Sequence, residues 1–586
     1  MSAAASSVDS SRRAAFSRTA ALRMFGALVS GGLLCAAFLA PDGAGAAWFA
    51  LVPLLIATRF AAGAGEGFRL GMVAGLVFNL GTLAWLRRLG ATGGPPALVY
   101  LGHCGLSAYC ALYFGAFCAA FAALWKARGR ACGSVPDTAT PEDDDEGGDD
   151  SAITFANVLG DLAIEALGIV VWVALEYVRA HFGTGFAWNL LGVSQVRIPQ
   201  VVQIASLGGT YAVSALVFAA NIVLANVGVR LARVLTGRRM RAVHLDLMIT
   251  GCAVAASIVW GSRQVARLER QSALGPFLWV EVSQADGPTV FQRDEQWRTA
   301  QNRLFEQTVT LAPLRPDLVV LPESAVFGWG APDGAEVFVE NLLAAVDAPL
   351  LAGTSEQGEE WLPRLGRHAL GNASLLFRPG DSPLQVPDSD RYWKQHLVPF
   401  GEYVPGDKRF PWIERNSPVG VSCTPGRGPV FMSVPLRKDS PDGHSAPAVV
   451  SPLICFEDTV AELARDAVRG GATVLVNQSN DAWFSGTCEG FQHHAQAVFR
   501  AVETRTPLVR CANSGLSSVI RPSGRWSEPS RLFVEPVAPR DPSLPLPLYV
   551  RAGDWAFAIP CVAASAVMLA LALARRQRNH RRNRPC

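Results

Sequence analysis

The sequence is poor in charged residues. They make up 17% of its 586 residues, whereas hydrophobic residues make up 50%. This composition excludes an ordinary soluble protein, and the length indicates more than one domain. The 52 basic and 49 acidic residues leave a net charge of only +3, which gives no reason to expect a nucleic-acid partner.

Metal-binding patterns are also lacking. None of the 12 cysteines forms a C-x-x-C pair or lies with histidine at zinc spacing. His396, His493 and His494 have no third ligand at useful spacing, so we expect them to be structural. We expect no metal and no cofactor. The spacing leaves open a disulfide among the cysteines of the polar half, Cys423, Cys455, Cys488 and Cys511.

Long apolar runs are what the sequence has in abundance. Most of them supply the roughly 20 residues with which a helix crosses a bilayer. The first is long and is followed at once by others, so we interpret it as an uncleaved span rather than a cleaved signal peptide. The eight candidate spans, of which the second is short, cover residues 22–40, 46–58, 68–86, 97–125, 157–178, 201–229, 243–261 and 554–574.

Basic residues predict the orientation of these spans. Eight crossings place the basic N-terminus, two basic connections and the basic C-terminal tail on one side, which the positive-inside rule assigns to the cytoplasm. The polar segment 262–553 then faces the periplasm. Arg87, Arg88 and Arg179 would lie on the outer side and count against this assignment. The basic connections contain Lys126, Arg128 and Arg130, and Arg230, Arg233, Arg238, Arg239 and Arg241.

These observations predict a multi-pass helical membrane bundle with an inserted extramembrane α/β domain. An acidic, Pro-containing loop near 133–151 reads as a disordered cytoplasmic insertion. The predicted divisions are a cytoplasmic tail at 1–20, a membrane domain of seven spans at 21–262, a periplasmic catalytic domain at 263–553, an eighth span at 554–575 and a basic cytoplasmic tail at 576–586.

Within the polar segment, short β-like runs alternate with helical stretches, which is typical of a layered α/β domain. Polar residues follow several of the predicted strands. Glu323 comes after the run 318–321, Cys455 after 448–454, and Trp483 shortly after 473–476. Side chains at strand ends leave the sheet toward a shared crevice, so this is where we expect a site. Long connections at 330–366 and 411–428 suggest lids.

Three local patterns carry a resemblance to a known family. They are Leu-Pro-Glu-Ser ending at Ser324, the stretch Trp393–Pro405 around Lys394, and Ile-Cys-Phe-Glu around Cys455. Together they resemble the Glu-Lys-Cys triad of the nitrilase (carbon-nitrogen hydrolase) superfamily. The Lys394 stretch, Ser479–Phe484 and Tyr549–Trp555 are more specific and resemble the membrane branch of that superfamily, the apolipoprotein N-acyltransferases.

The resemblance implies a layered α-β-β-α sandwich and an activity. Such enzymes transfer a fatty acyl chain from a membrane phospholipid to the N-terminal amine of a diacylglyceryl-cysteine lipoprotein, in the bacterial inner membrane. It implies Cys455 as the nucleophile, Glu323 as the proton acceptor and Lys394 as the cation that stabilises the oxyanion. These roles suit the chemistry, because a thiol attacks once a base removes its proton and a cation stabilises developing negative charge.

Four further residues are supporting candidates. Glu402 is expected to hold Lys394, although Lys408 or Arg409 could be its partner instead. Glu457 could tune the site or cap the following helix. Trp483 could contact substrate or serve only packing. These alternatives stay open, and Phe456 stands where the family often has tyrosine.

One feature departs from the family pattern, because no tryptophan occupies 291–293. Two other functions are compatible with these patterns. One is a membrane-tethered amidase or hydrolase that uses the same triad, and the other is a non-catalytic membrane scaffold. Transfer to a lipopeptide separates the first from the acyltransferase, and the effect of replacing Cys455 separates the second.

Overall fold

The computed structural model describes residues 2–40, 42–91, 95–131, 155–236, 244–284, 294–326, 334–362, 367–406, 422–436 and 446–582. The predicted acidic loop near 133–151 lies wholly outside these residues. Residues 291–293, which lack the family tryptophan, and most of the second suggested lid also lie outside them. Most of the first suggested lid forms a helix and a strand that pack into the domain, and its movement as a lid stays a prediction.

Apolar helices build the first part of the chain. By length and composition, six described helices could cross a membrane, or seven if the bent pair Ala64–Thr82 and Ala84–Gly90 is one span. The helices are α1 Ser2–Leu39, α2 Val52–Arg59, α3 Ala64–Thr82, α4 Pro96–Ala131, α5 Phe155–His181, α6 Pro199–Val202, α7 Ala205–Leu235 and α8 Leu245–Ser272, with α14 Ala558–Arg582 closing the chain.

The short apolar segment Gly43–Arg59 runs between α1 and α3. Those two helices are parallel. Arg23, near the middle of α1, pairs with Glu66 at the start of α3 at 2.8 Å, and Cys35 contacts the carbonyl of Val77 near the ends of both helices at 3.4 Å. The chain must therefore return between them, and Gly43–Arg59 makes that return. With this passage, which is too short to count as a span by length, the six or seven candidate spans among the described residues are compatible with the predicted eight.

The remaining helices alternate in direction. The end of α4 meets the start of α5 through Arg128 and Asp161, 3.1 Å apart, and the end of α7 meets the start of α8 through Arg230 and Asp246. All these basic ends gather at one end of the bundle, where Arg23 also lies. Arg179, which counted against the orientation, is only 3% exposed inside the protein.

The inserted domain contains two β-sheets. One has the order β11-β1-β2-β3-β4-β5 and the other β10-β9-β8-β7-β6. The strands are β1 Leu278–Ser283, β2 Leu318–Val320, β3 Leu350–Leu362, β4 Arg367–Phe377, β5 Arg391–Trp393, β6 Met432–Val434, β7 Ala448–Ile454, β8 Val474–Asn480, β9 Leu508–Asn513, β10 Ser518–Ile520 and β11 Leu532–Val537. The longer helices are α9 Asp294–Leu311, α10 Ala335–Val346, α11 Ala461–Arg469 and α12 Glu489–Thr504, and a short α13 Leu548–Ala552 follows β11.

The two sheets face each other across an apolar layer. Val282 and Val320 from the first sheet pack with Val450 and Val476 from the second. Helices α9 and α10 cover the outer face of the first sheet, and α11 and α12 cover that of the second. This arrangement is the α-β-β-α sandwich, so the predicted fold class is confirmed.

Helix α12 joins the domain to the bundle. Its residues belong to one apolar cluster that continues into the transmembrane helices. On its polar positions, Glu503 accepts from the backbone N–H and the hydroxyl of Thr210, at 2.8 and 2.9 Å. Gln492 accepts from the indole N–H groups of Trp85 and Trp188, at 3.2 and 2.7 Å. The domain is therefore packed firmly against the bundle.

Candidate active site

Three strand ends bring the predicted triad together. Glu323 follows β2 and Lys394 follows β5, both in the first sheet, and Cys455 follows β7 in the second. Strands fix the backbone up to their last residue, and the side chain just beyond is free to leave the sheet. Because the two sheets are stacked, these side chains converge at one edge of the sandwich.

Lys394 lies between two carboxylates. Its Nζ is 2.9 Å from Oε1 of Glu402 and 3.7 Å from Oε1 of Glu323. It is only 1% exposed, and Glu323 is 8% exposed. Glu402 also accepts from the backbone N–H of Val398 at 2.8 Å. The expected pairing of Glu402 with Lys394 is therefore present, while Lys408 and Arg409 lie outside the described residues.

Asn372, a residue that sequence reasoning missed, bridges the same carboxylates. From the middle of β4, its Nδ2 donates to Oε1 of Glu323 at 2.7 Å and to Oε1 of Glu402 at 2.8 Å. A neutral donor between two acids reduces their repulsion. An asparagine inside a strand of mostly apolar residues was the signal that could have pointed to it.

Cys455 begins a 3-10 turn in an unusual backbone conformation. Its φ is +53°, which is uncommon for a residue other than glycine and is typical of functional turns. Its carbonyl accepts from Nδ2 of Asn477 at 3.1 Å and contacts Nε2 of His493 at 3.2 Å. Unlike Glu323 and Lys394, Cys455 keeps part of its surface exposed.

The electrostatics follow from this burial. Burial raises the pKa of Glu323, and Lys394 offsets this only in part. Burial, followed by the charge of Glu323, raises the pKa of Cys455 to about 12. Burial by itself would lower the pKa of Lys394, but Glu402, Cys455 and Glu323 together raise it above its ordinary value. At neutral pH the thiol is protonated and needs a base, whereas the lysine stays charged.

Glu457 links the cysteine turn to the lysine segment. One oxygen accepts from the backbone N–H groups of Gln395 and His396, at 2.6 and 3.0 Å. The other accepts from the Ile454 N–H at 2.7 Å and the Tyr392 hydroxyl at 2.8 Å. Glu457 is therefore a fully buried clamp. Its bond to the Ile454 N–H also forms part of a capping box at the start of the 3-10 turn Cys455–Thr459, which is close to the capping role considered from sequence.

An apolar, mostly aromatic cluster lies beside Cys455. Phe456 stacks on Trp188 with ring centroids 6.3 Å apart and on His396 at 5.9 Å. Phe484 packs edge-on against Trp85 at 4.6 Å. Trp483 is half-buried in the neighbouring turn Asp481–Phe484. Leu83, Leu86, Leu106, Phe186 and Cys488 complete this cluster, which joins bundle and domain.

The structure shows the surroundings of the cysteines of the polar half and of His493. In the described part of the chain, no disulfide joins Cys423, Cys455, Cys488 and Cys511. His493 does not stand alone as its spacing suggested, because Asp481 and Glu489 place ligand atoms within 4.8 Å of its own and of one another. Arg510 already lies 3.0 Å from Asp481 there, so a cation is supplied by the protein itself.

Comparison with known families gives two matches. A model described as the apolipoprotein N-acyltransferase N-terminal domain matches residues 30–223, and a carbon-nitrogen hydrolase model matches residues 303–531. The chain is similar to an apolipoprotein N-acyltransferase of Geobacter metallireducens, at 32% identity over 94% of this chain and 96% of the relative. A relative from Chromobacterium violaceum with the same name is 29% identical over 70% of this chain and 72% of its own length.

Solved structures were compared as well. An amidase of the nitrilase superfamily from Nesterenkonia matches with a TM-score of 0.31 and 15% identity, over 48% of this chain and 95% of the amidase. The Nit3 protein of Saccharomyces cerevisiae matches with a TM-score of 0.32 and 19% identity, over 45% of this chain and 91% of Nit3.

Proposed function

The chain belongs to the apolipoprotein N-acyltransferase family, and from this membership we propose how it acylates lipoproteins: Cys455 carries the acyl group as a thioester, Glu323 moves the protons and Lys394 stabilises the oxyanion. The observation that supports these roles is the convergence of the three side chains, with Lys394 3.7 Å from Glu323. The acyl donor is a membrane phospholipid, and the acceptor is a diacylated apolipoprotein.

In the first step, Sγ of Cys455 attacks an ester carbonyl of the phospholipid while Glu323 accepts the thiol proton. Negative charge develops on the carbonyl oxygen, where buried Lys394 stabilises it. The C–O bond then breaks, and the leaving alkoxide takes the proton from Glu323. The products of this step are a lysophospholipid and the thioester on Cys455.

In the second step, the N-terminal amine of the lipoprotein attacks the thioester. Glu323 accepts a proton from the amine, the C–S bond breaks, and the thiolate of Cys455 is reprotonated from Glu323. The product is an amide, and the enzyme returns to its starting state. The same base and the same cation therefore serve both halves of the reaction.

The aromatic cluster beside Cys455 supports a lipid substrate. Exposing an acyl chain to water costs about 0.8 kcal/mol per CH₂. Phe456 adjoins the nucleophile and stacks on Trp188 of the bundle, so an apolar surface continues from Cys455 toward the transmembrane helices. An acyl chain can lie on this surface without leaving apolar surroundings, which an amidase for small soluble substrates does not require.

The catalytic domain faces the periplasm in this proposal, with the tails 1–20 and 576–586 in the cytoplasm. The basic ends of the helices support it, because they gather at the end of the bundle opposite the domain and cytoplasmic ends are enriched in Lys and Arg. A green fluorescent protein fused to the C-terminus should fluoresce. A fused alkaline phosphatase that is active instead would reverse the orientation.

Intact mass spectrometry tests the chemistry. The purified enzyme is incubated with phospholipid and compared with Cys455→Ala and with Cys488→Ala, a matched control from the aromatic cluster. The wild type and C488A should each gain the mass of one fatty acyl chain, which hydroxylamine removes. C455A should gain nothing. A diacylated lipopeptide should then discharge the acyl group as an amide.

Two results would overturn the proposal. Acylation of C455A to the wild-type extent would exclude Cys455 as the nucleophile. Discharge to free fatty acid at the same rate with and without lipopeptide would instead favour the tethered hydrolase.

A further inference from the structure

We propose that His493 is a positioning residue for the nucleophile: held as a cation in a buried ion network, it donates to the carbonyl of Cys455 and fixes the turn that carries the thiol. This inference rests on the proposed role of Cys455 and adds a residue that touches neither the reacting atoms nor the lipid. His493 lies on α12, the helix that also docks the domain on the bundle.

Both ring nitrogens of His493 face acceptors. Nε2 is directed at the carbonyl oxygen of Cys455, 3.2 Å away, and Asp458 Oδ1 lies 3.1 Å from the same nitrogen as an ion-pair partner. Nδ1 lies 3.0 Å from Oδ1 of Asp481. A carbonyl oxygen cannot donate, so Nε2 must carry a hydrogen. Nδ1 must carry one too if the carboxylate of Asp481 is ionised.

Asp481 is ionised because it is surrounded by donors. Nη2 of Arg510 is 3.0 Å from its Oδ2, and the hydroxyl of Ser479 donates to its Oδ1 at 2.6 Å. The pKa of Asp481 is accordingly held below its ordinary range, with Arg510 and His493 overcoming the effect of burial. Both nitrogens of His493 therefore carry hydrogens, and the ring is an imidazolium.

The network that holds this cation is built from several elements. The charged groups facing His493 are Asp458 from the turn after β7, Asp481 from the turn after β8, Glu489 from α12 and Arg510 from β9. All are buried. A buried ion pair that loses one partner is strongly destabilised, so each group fixes the others, and the network is rigid where it meets Cys455.

The rigid ion network contacts the site at the carbonyl of Cys455. Cys455 has φ of +53°, a conformation that a neighbouring structure must maintain. Asn477 and His493 both contact its carbonyl, from a strand and a helix respectively. The positive charge of His493 also lowers the pKa of the Cys455 thiol, opposing burial and Glu323. His493 should thus affect both the placement and the reactivity of the thiol.

The test compares His493→Gln and His493→Ala with a control on the same helix, His494→Gln. His494 is equally buried, but it bonds to the hydroxyl of Ser518 at 2.8 Å and packs on Trp526. Gln at 493 keeps an N–H donor without the charge, and Ala keeps neither. The full-length enzyme in detergent is used for iodoacetamide alkylation of Cys455 against pH, followed on the Cys455 peptide, for kcat and KM of lipopeptide acylation, and for thermal unfolding.

We expect alkylation of Cys455 to slow in the order wild type, H493Q, H493A, with its pH profile displaced upward in both variants. Loss of a hydrogen bond to a charged group lowers a rate by about tenfold to a hundredfold. We expect this decrease in kcat, with KM unchanged. H494Q should keep the wild-type alkylation profile.

Folded H493Q with wild-type alkylation and kcat would overturn the inference, as would equal losses in H493Q and H494Q at equal unfolding temperatures. If H493A does not fold, the comparison of H493Q with H494Q still decides. The proposed function fails separately, through an acylated C455A, whatever the His493 variants do.

Discussion

In the proposed mechanism Glu323 carries both proton transfers, and its neighbours allow a substitution that removes the base with little change in structure. In Glu323→Gln, the amide oxygen can still accept from Asn372, and Lys394 keeps Glu402 at 2.9 Å. The fold should therefore survive while the base is lost. We expect kcat to fall by about 10²- to 10⁴-fold, measured as lipopeptide acylation, with the unfolding temperature within a few degrees of wild type. Full activity in E323Q would assign the base elsewhere.

The ionisation of Glu323 should set how activity depends on pH. Glu323 must be ionised to accept a proton, and its pKa is raised by burial. Activity should therefore be complete above that raised pKa and be lost as pH falls through it, at a higher pH than an ordinary glutamate would set. Asn372 lowers the same pKa by donating to the carboxylate. Asn372→Leu should move the acidic limb of the kcat profile to still higher pH, and a limb that does not move would contradict this role.

Some of these residues were readable in the sequence and some were not. Glu323, Lys394 and Cys455 follow strands within recognisable local patterns, so their neighbours on the chain were enough to single them out. Asn372 and His493 act on residues that lie, respectively, 49 and 38 positions away. An asparagine in a mostly apolar strand marks Asn372 as unusual, but the partners of both residues depend on which strands and helices pack together, and no local pattern encodes those partners.

At the scale of elements, the lysine segment is held by close backbone contact. A Cβ at Gly426 would lie 2.1 Å from the carbonyl oxygen of Trp393, the residue before Lys394, whereas one at Gly428 would meet nothing within 4 Å. Gly426 also donates to the carbonyl of Lys394 at 2.9 Å. These two glycines therefore form a matched pair.

We expect Gly426→Ala to displace β5 and Lys394, lowering both the unfolding temperature and acylation, because small-to-large changes in packed regions cost about 1–3 kcal/mol. Gly428→Ala should resemble wild type in thermal unfolding and in lipopeptide acylation. Equal behaviour of G426A and G428A would show that the segment is not held as described.

The strands that the sequence predicted share one property, which is that each is a mostly apolar, continuous run. The runs that end at Glu323 and Cys455 are buried strands of this kind. By contrast, β5 and β6 contain Arg391 and Ser433 and lack the uninterrupted apolar run of the equally short β2. Strand β11 pairs with β1 from the far end of the domain. A three-residue strand that contains a polar residue shows no recognisable hydrophobic run. The sequence around a strand also does not indicate a partner strand that lies far along the chain.

At the scale of the whole molecule, α12 couples the catalytic domain to the membrane bundle. Gln492→Leu should leave the indole N–H groups of Trp85 and Trp188 without their hydrogen-bond acceptor, each at a cost of about 1–3 kcal/mol. Gln496, one turn further along α12, is buried with an Nε2 that has no partner among the described residues. We expect Q492L to lower the unfolding temperature in detergent, and Q496L to leave it unchanged or raise it. The reverse order would exclude Gln492 as a link between the two parts.

The docking of the two parts was beyond the sequence for a specific reason. Hydropathy separated apolar spans from a polar domain, and charge predicted which helix ends lie together. From its sequence, α12 has the pattern of a helix that only covers a sheet, and nothing in it marks the face that meets the bundle. Only the fold reveals that it does both, since it packs against β9 and β10 on one side and α7 on the other.

The return segment Gly43–Arg59 has a consequence for how the protein is made. It is too short to partition into lipid by its own hydrophobicity, and its residues Ala47, Leu51 and Leu54 are fully enclosed by protein. Its backbone is held by Asn221 on α7, which donates to the Ala47 carbonyl and accepts from the Leu51 N–H, both at 2.8 Å. That asparagine is synthesised 174 residues after Ala47. The second passage therefore enters its final place late in biogenesis, when α7 has emerged from the ribosome.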